Sequence, residues 1–543
     1  MGLFKNVFSK NEAESILKIG NEKYSQKDYN SAIQEFSRAI AINPGLLPAY
    51  YGRALSYLSV NDLVNSKADF ESILKTSEDY SARILFYLGQ IEIEQNKLEV
   101  GLSYFNKYVS KDGNNADAFF YRAQVKSLLQ NSEEAIKDFD KAIEINPANS
   151  DYLVYRGLEK SKIKDYKHAI IDFNAAIEIK PNNALAVEGR GVVRFQLKEN
   201  EEALKDLTTA IEFNPGMESA YYNLACLKFS LKKYEESVRL LDQALKLNSI
   251  YAEAFLLRAK SFAELDNPDG ALQDFAKVVN LQPNNVDAYK ESGYLKKRLM
   301  DFEGAIEAFT KASEILPDDL ENYFQLAELK IEIKDIESSN KYLNKIIDID
   351  LLSEKAYKQR GINKFNCEAY NEAISDLSKA IEIDSKDSES FYFRARAKDK
   401  LKDNRGAMAD VNAALQNPEY FAAYLFRGYL KLESNDDYGA ALDFTKAIKI
   451  NPKSFIAYFN RAKAYKNMEN YTDAEHDLST ALKINSNFAE GYFLRALISF
   501  EIWDFKQTIK DCETAIKLDK NYESVLSPVM KKAKSKLVNH NHS

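Results

Sequence analysis

Tryptophan occurs once, cysteine three times, histidine four times and proline eleven times in 543 residues. Cys226, Cys367 and Cys512 lie far apart and are odd in number, which argues against a disulfide framework or a clustered zinc site and fits a reducing compartment. No run approaches the roughly eighteen consecutive apolar residues that a membrane-spanning helix needs. The opening MGLFKNVFSKNEAE lacks the apolar length and cleavage site of a secretory signal. Blocks of one charge are also missing, because 74 Lys and Arg are interspersed with 82 Asp and Glu for a net charge of -8. Phosphate neutralisation wants clustered cations, so nucleic acid is not the expected partner. The expectation is a soluble, intracellular, cytoplasmic chain with no integral membrane segment and an undetermined oligomeric state.

Chemistry is equally scarce. No nucleophile with its base, paired acid, metal cluster or phosphate cradle can be assembled, so neither an enzyme nor a cofactor nor a metal is expected. GRGVVR, with Gly189 and Gly191, lacks the third glycine of a dinucleotide loop and sits in helical periodicity. His168 and His476 stand alone, and His540 and His542 fall in a polar tail.

What the chain has is repetition. EEAIKDFDKAIEINPAN, beginning at Glu133, recurs as KHAIIDFNAAIEIKPNN, EEALKDLTTAIEFNPGM, NEAISDLSKAIEIDSKD and GAALDFTKAIKINPKS at about 34-residue spacing. Fifteen units fit residues 13–522, starting at Ala13, Leu47, Ala82, Ala116, Ser150, Ala184, Glu218, Ala252, Val286, Leu320, Glu354, Ser388, Phe421, Phe455 and Ala489. The spacing slips by one residue before Ala82 and again before Phe421.

The eighth place of every unit is Gly or Ala, from Gly20 and Ala54 to Ala462 and Ala496. A larger side chain there would overpack a close approach of two helices, at a cost of about 1–3 kcal/mol. The twentieth place is mostly Ala, and four residues on stands a large apolar group such as Phe36, Phe139, Phe173, Phe309 or Phe444. That stripe marks one helix face. Prolines such as Pro44, Pro147, Pro181, Pro215 and Pro452 separate units, and Pro268 sits in the turn within one, so each unit reads as two antiparallel helices.

Spacing and signature residues resemble the tetratricopeptide repeat family over residues 13–522. Tyr and Phe, as in Tyr50, Phe119, Phe391 and Tyr458, take the place of the family's tryptophan. The resemblance implies an all-α fold, a right-handed α-solenoid of about fifteen helix-turn-helix units in one superhelix. Residues 1–12 would form an N-terminal lead or cap, and 523–543 a C-terminal capping helix with a polar tail. In the closing segment the stripe Val525, Val529, Ala533 and Leu537 suits that cap. In the lead, Leu3, Phe4, Val7 and Phe8 have helical spacing and are expected to dock over the first repeat in preference to a membrane. Asn6 stands where a myristoylation signal at Gly2 wants Ser or Thr.

One co-occurrence reports on packing. Ten units carry arginine at the seventh place, and the same ten carry aspartate sixteen residues later, among them Arg122 with Asp138, Arg156 with Asp172, Arg394 with Asp410 and Arg461 with Asp477. Units with Ile19, Leu88, Leu224, Ser292 or Leu326 in that place lack the aspartate. A salt bridge clipping the two helices of a unit is expected, in preference to a row of arginines catching a ligand.

In the resembled family the first helices line a concave wall. The fifth, sixth, ninth and twelfth places tend to face the channel, and here they carry Tyr51, Phe86, Phe120, Tyr121, Tyr155, Tyr222, Phe324, Tyr392, Phe393, Phe426, Phe459 and Phe493. Such rings either pack between adjacent units or form a groove for extended or helical partner segments. Second-place acids such as Asp117, Asp287 and Glu389 would favour basic segments. Two binding modes of the family do not fit. Of the chaperone-tail carboxylate clamp only Asn21 is present, with Leu17, Gly52 and Tyr87 at its other positions, and an asparagine ladder would have only Asn223 and Asn460.

The expected function is therefore a protein-protein interaction scaffold in an assembly, chaperone-adaptor or transport-complex role. The alternative is an architectural subunit held through its convex face and ends. Asp79–Asn115 and Ser338–Ser353, in the units that depart most from the pattern, are candidate bends or lateral contacts.

Overall fold

The structure, a computed structural model, describes residues 2–77 and 81–540, with side chains described for 11–77 and 81–537. It contains α-helices joined by short turns, one 3₁₀ turn at Lys520–Tyr522, and no strand among the described residues. Helices come in consecutive pairs, as in an α-solenoid. From Ala116 onward every unit start found in the sequence is the first residue of a helix, and each second helix begins sixteen residues later.

Repeat 5 shows why. Its first helix, Ser150–Lys162, is opened by Asn149, whose side chain accepts the N–H of Asp151. Its second helix, Tyr166–Ile179, is opened by Asp165, which accepts the N–H of His168. Asp or Asn fills this cap before the second helix in most repeats, satisfying a donor that the helix leaves unpaired, at about 1 kcal/mol each. The residue just before the cap reverses the chain at positive φ in every repeat, and it is never glycine: Lys27, Lys164, Lys334 and Trp503 are examples, with φ between 61° and 67°.

Packing explains the small eighth place. A Cβ added to Gly157 would lie 2.9 Å from Phe173 in the same repeat, and one added to Gly428 would lie 2.6 Å from Phe444. The large residue of the second helix thus lies across the bare backbone of the first. Phe36, Phe70, Phe105, Phe139, Phe173, Phe309 and Phe444 are fully buried this way, each stabilising by about 1.5–3 kcal/mol. The first helix of the next repeat closes the same core, as Tyr152 does over Phe120, Ala123 and Phe139.

The chain divides into two compact units, 1–283 and 284–543. The first holds repeats 1 to 8 and the second repeats 9 to 15 with the closing segment. Three local features differ from expectation. The lead is no separate piece, since one helix runs Gly2–Ser25 through it into the first repeat; the side chains of Leu3, Phe4, Val7 and Phe8 lie outside the described residues. At the other end the helix Glu523–His540 accommodates Pro528 in its interior. Its buried residues are Leu526 and Ala533, with Val529 and Met530 beside them, while Val525 is exposed. The stripe is rotated because Leu526, not Val525, meets Cys512 and Ala515 of the last repeat. Of the candidate bends, Asp79 lies outside the described residues, and Ser338–Ser353 falls in a regular helix, Ile336–Ile349, and the loop after it.

Candidate functional site

Each of the ten seventh-place arginines grips the aspartate sixteen residues on with two parallel hydrogen bonds. Nε donates to Oδ2 and Nη2 to Oδ1, at 2.6–2.9 Å. Arg122 with Asp138, Arg156 with Asp172, Arg394 with Asp410 and Arg461 with Asp477 all share this geometry. The pairs are largely covered; in repeat 12 the side chains of Arg394 and Asp410 keep 16% and 7% of their exposure.

Two further partners of the clip escape the spacing argument. The remaining nitrogen, Nη1, donates to a short polar side chain on the second helix of the preceding repeat: Ser37, Asn106, Asp140, Asn174, Asp242, Asn344, Ser378, Asn412, Thr445 and Ser479, at 2.6–3.3 Å. Each arginine therefore ties three helices together. In eight of the ten, the guanidinium also lies 5.4–5.7 Å from the fourth-place ring, as Arg122 does over Phe119 and Arg461 over Tyr458. All eight rings stand at the place where the resembled family has tryptophan. Short polar residues sixteen positions before nine of the arginines, and fifteen before Arg427, were the missed signal.

The aromatic candidates fall into separate groups. In the first unit, rings on successive first helices form a continuous ladder. Tyr51 lies 6.3 Å from Tyr87, Tyr87 5.3 Å from Phe86, Phe86 4.7 Å from Tyr121, Tyr121 5.3 Å from Phe120, and Phe120 5.3 Å from Tyr155. Sixth-place rings also stack on the core phenylalanine of the preceding repeat, Tyr87 on Phe70, Tyr121 on Phe105 and Tyr155 on Phe139. Burial and the neighbouring Tyr87 push the Tyr51 phenol up to about 12. In the second unit, Phe393 lies 5.7 Å from Phe365 and 5.3 Å from Tyr392, which in turn lies 6.0 Å from Phe426.

Other candidates stand outside these runs. Tyr222 packs with Tyr251 at 5.1 Å beside Cys226, whose thiol burial pushes up to about 11. Phe324 carries the ammonium of Lys355 at 4.5 Å. Phe493 is stacked under Tyr522 of the closing segment at 4.7 Å. Two are core residues: Phe120, 8% exposed, is closed over by Tyr152, and Phe459, 4% exposed, by Phe488. They offer a partner little surface, because the next repeat or its leading loop covers the fifth place there. Among the described residues no group of three or more His, Cys, Asp or Glu is placed to hold a metal, and no helix is long and apolar enough to cross a membrane.

Profiles of one family, the tetratricopeptide repeat, match residues 13–45, 116–149, 151–183, 222–289 and 455–488. The chain is a tetratricopeptide repeat protein. It is 30% identical over 108 residues to the small glutamine-rich tetratricopeptide repeat-containing protein 2 of Saccharomyces cerevisiae, covering 20% of this chain and 31% of that one. Over 89 residues it is 30% identical to the STIP1 homolog of Dictyostelium discoideum, covering 15% and 16%. The match thus spans less than a third of either relative. Among solved structures, the APC/C hetero-tetramer Cut9-Hcn1 is similar over 95% of both chains, with 13% identity and a TM-score of 0.37. Tetratricopeptide repeat proteins are in general protein-interaction scaffolds that bind other proteins.

Proposed function

We propose that this tetratricopeptide repeat protein is an intracellular scaffold whose first helices receive extended or helical segments of partner proteins. The observation that carries the reading is the ladder from Tyr51 to Tyr155, in which half-buried rings on four successive first helices adjoin one another, with the buried Phe120 joining the last two. Aromatic side chains anchor peptides well because they offer large area at small entropic cost. Polypeptide-scale recognition also fits a face that repeats from one first helix to the next. The architectural reading has one observation in its favour: Leu351 and Leu352, between the helices of repeats 10 and 11, are 68% and 71% exposed.

Site-specific photo-crosslinking separates the two readings. Benzoylphenylalanine at Phe86 reports on the first-helix face, at Lys141 on the second-helix face, and at Leu352 on the loop. Partner peptides crosslinked from Phe86 support the groove. Crosslinks confined to Lys141 and Leu352 transfer the conclusion to the architectural role.

A further inference from the structure

Arg396 differs from every other half-buried arginine among the described residues. The ten clip arginines and Arg194 each hold a carboxylate at 2.9 Å or less. Arg396 has no hydrogen bond or ion pair; its guanidinium carbon instead lies 4.7 Å from the ring centre of Phe365, 5.6 Å from Tyr392 and 5.7 Å from Phe393. Tyr392 and Phe393 share its helix, Ser388–Lys400, and Phe365 comes from the first helix of the repeat before, Glu354–Asn366. Rings favour the flat face of a guanidinium but accept none of its five N–H donors in the carboxylate-matching fork.

Three of the acids nearby are engaged elsewhere. Lys358 reaches Asp387 at 3.4 Å and Glu389 at 3.7 Å, and Glu433 accepts the Tyr429 hydroxyl at 2.5 Å. Asp399, one turn along from Arg396, lies beyond ion-pair distance; burial together with Glu433 pushes its carboxyl up against the weaker pull of Lys402, Lys400 and Arg396. The neighbourhood is thus one free cationic fork in a ring-lined seat, bordered by carboxylates.

We infer that Arg396 is the anchor for a single acidic side chain, Asp or Glu, of a partner segment lying over the first helices of repeats 11 to 13. This deepens the peptide-binding reading and rests on it. A carboxylate matches the fork with two parallel hydrogen bonds and carries one charge. A phosphate would bring nearly two charges into the field of Asp399 and Glu433, so the surroundings favour the carboxylate. The same two acids suit a basic residue flanking the partner's acid, and Tyr392, Phe426 and Tyr429 suit an apolar one.

The test uses the full chain and a phage-displayed random dodecapeptide library, followed by binding of synthetic versions of the enriched peptides. Enriched peptides are expected to share an Asp or Glu. Changing it to the amide should weaken binding to the native chain about ten- to a hundred-fold and leave binding to Arg396→Gln little changed. Arg396→Lys should fall between, and Arg405→Gln, at an exposed arginine, should behave as native. Peptides that bind without needing an acid or Arg396 overturn the inference and leave the groove reading standing. A phosphoserine version that binds more tightly than the carboxylate one overturns the assignment of ligand. Failure to enrich any peptide removes the groove reading and the inference with it. If Arg396→Gln lowers helicity, the Arg396→Lys comparison, which keeps the charge but not the fork, decides.

Discussion

Repeats 12 and 10 solve one packing problem in opposite ways. In repeat 12, Arg394 is clipped to Asp410, which also receives Lys398, while Ser378 and Phe391 complete the surroundings of the guanidinium. In repeat 10 the equivalent places hold Leu326 and Tyr342, joined to the apolar cluster of Leu329, Leu343, Ile346 and Phe309. Repeats 3 and 7 follow repeat 10, with Leu88 near Tyr104 and Leu224 near Leu240. The helix pair is kept in either case. A covered ion pair and an apolar pair are therefore interchangeable as fillers, but only as complete pairs, because removing one charge strands the other away from water.

That comparison breaks most strongly at a single partner. Asp410→Ala is expected to destabilise by about 3 kcal/mol, the lower end for a buried pair because Arg394 keeps an edge to solvent. Leu326→Ala in repeat 10 should cost a similar amount through its cavity, at about 2–5 kcal/mol. Amide hydrogen exchange over each helix pair measures the loss locally, which suits a repeat array better than one global transition. Next in size is Gly157→Ala, expected to cost about 1–3 kcal/mol, since Phe173 would have to give way to the new Cβ. This effect should not depend on the clip.

The double change Arg394→Leu with Asp410→Tyr, which copies repeat 10 into repeat 12, should return stability to within about 1–2 kcal/mol of native. A double-mutant cycle then gives the coupling; additivity of the two single changes would refute the interchange. The smallest effect concerns the turns. Lys164→Gly in repeat 5, which has the clip, and Lys334→Gly in repeat 10, which lacks it, should each stabilise by about 0.5–1 kcal/mol. Relief of the left-handed backbone exceeds the extra freedom glycine gains in the unfolded chain. Unequal gains would show that the clip strains the turn.

Much of this was legible because repeats give many views of one geometry. The eighth-place Gly or Ala and the large residue sixteen positions later marked the closest approach of the two helices, and the structure places Gly157 under Phe173 accordingly. The arginine's third bond was harder to see, since Ser, Thr, Asn and Asp serve it equally and no single residue type repeats. Among the aromatics, place in the repeat did not determine exposure. Phe86 and Phe120 share the fifth place, yet Phe120 is buried because Tyr152, tethered by its hydroxyl to Asp117 at 2.5 Å, folds over it. For Phe86 the equivalent of Tyr152 in the next repeat is the small Ala118, so Phe86 stays half-buried. Arg396 was likewise invisible, because its distinction lies in the bond it does not make.

The one-residue slip before Phe421 leaves a visible trace. The second helix of repeat 12, Asn404–Ala414, is shorter than its counterparts, and Arg427 finds its acceptor, Asn412, fifteen residues back where the others reach sixteen. A long, jointed side chain spans a one-residue step in the repeat that rigid backbone-to-backbone contacts would transmit along the stack. Such a fastening works as a slack coupling: between repeats 12 and 13 it holds the neighbouring helices together although the spacing of the stack changes by one residue there.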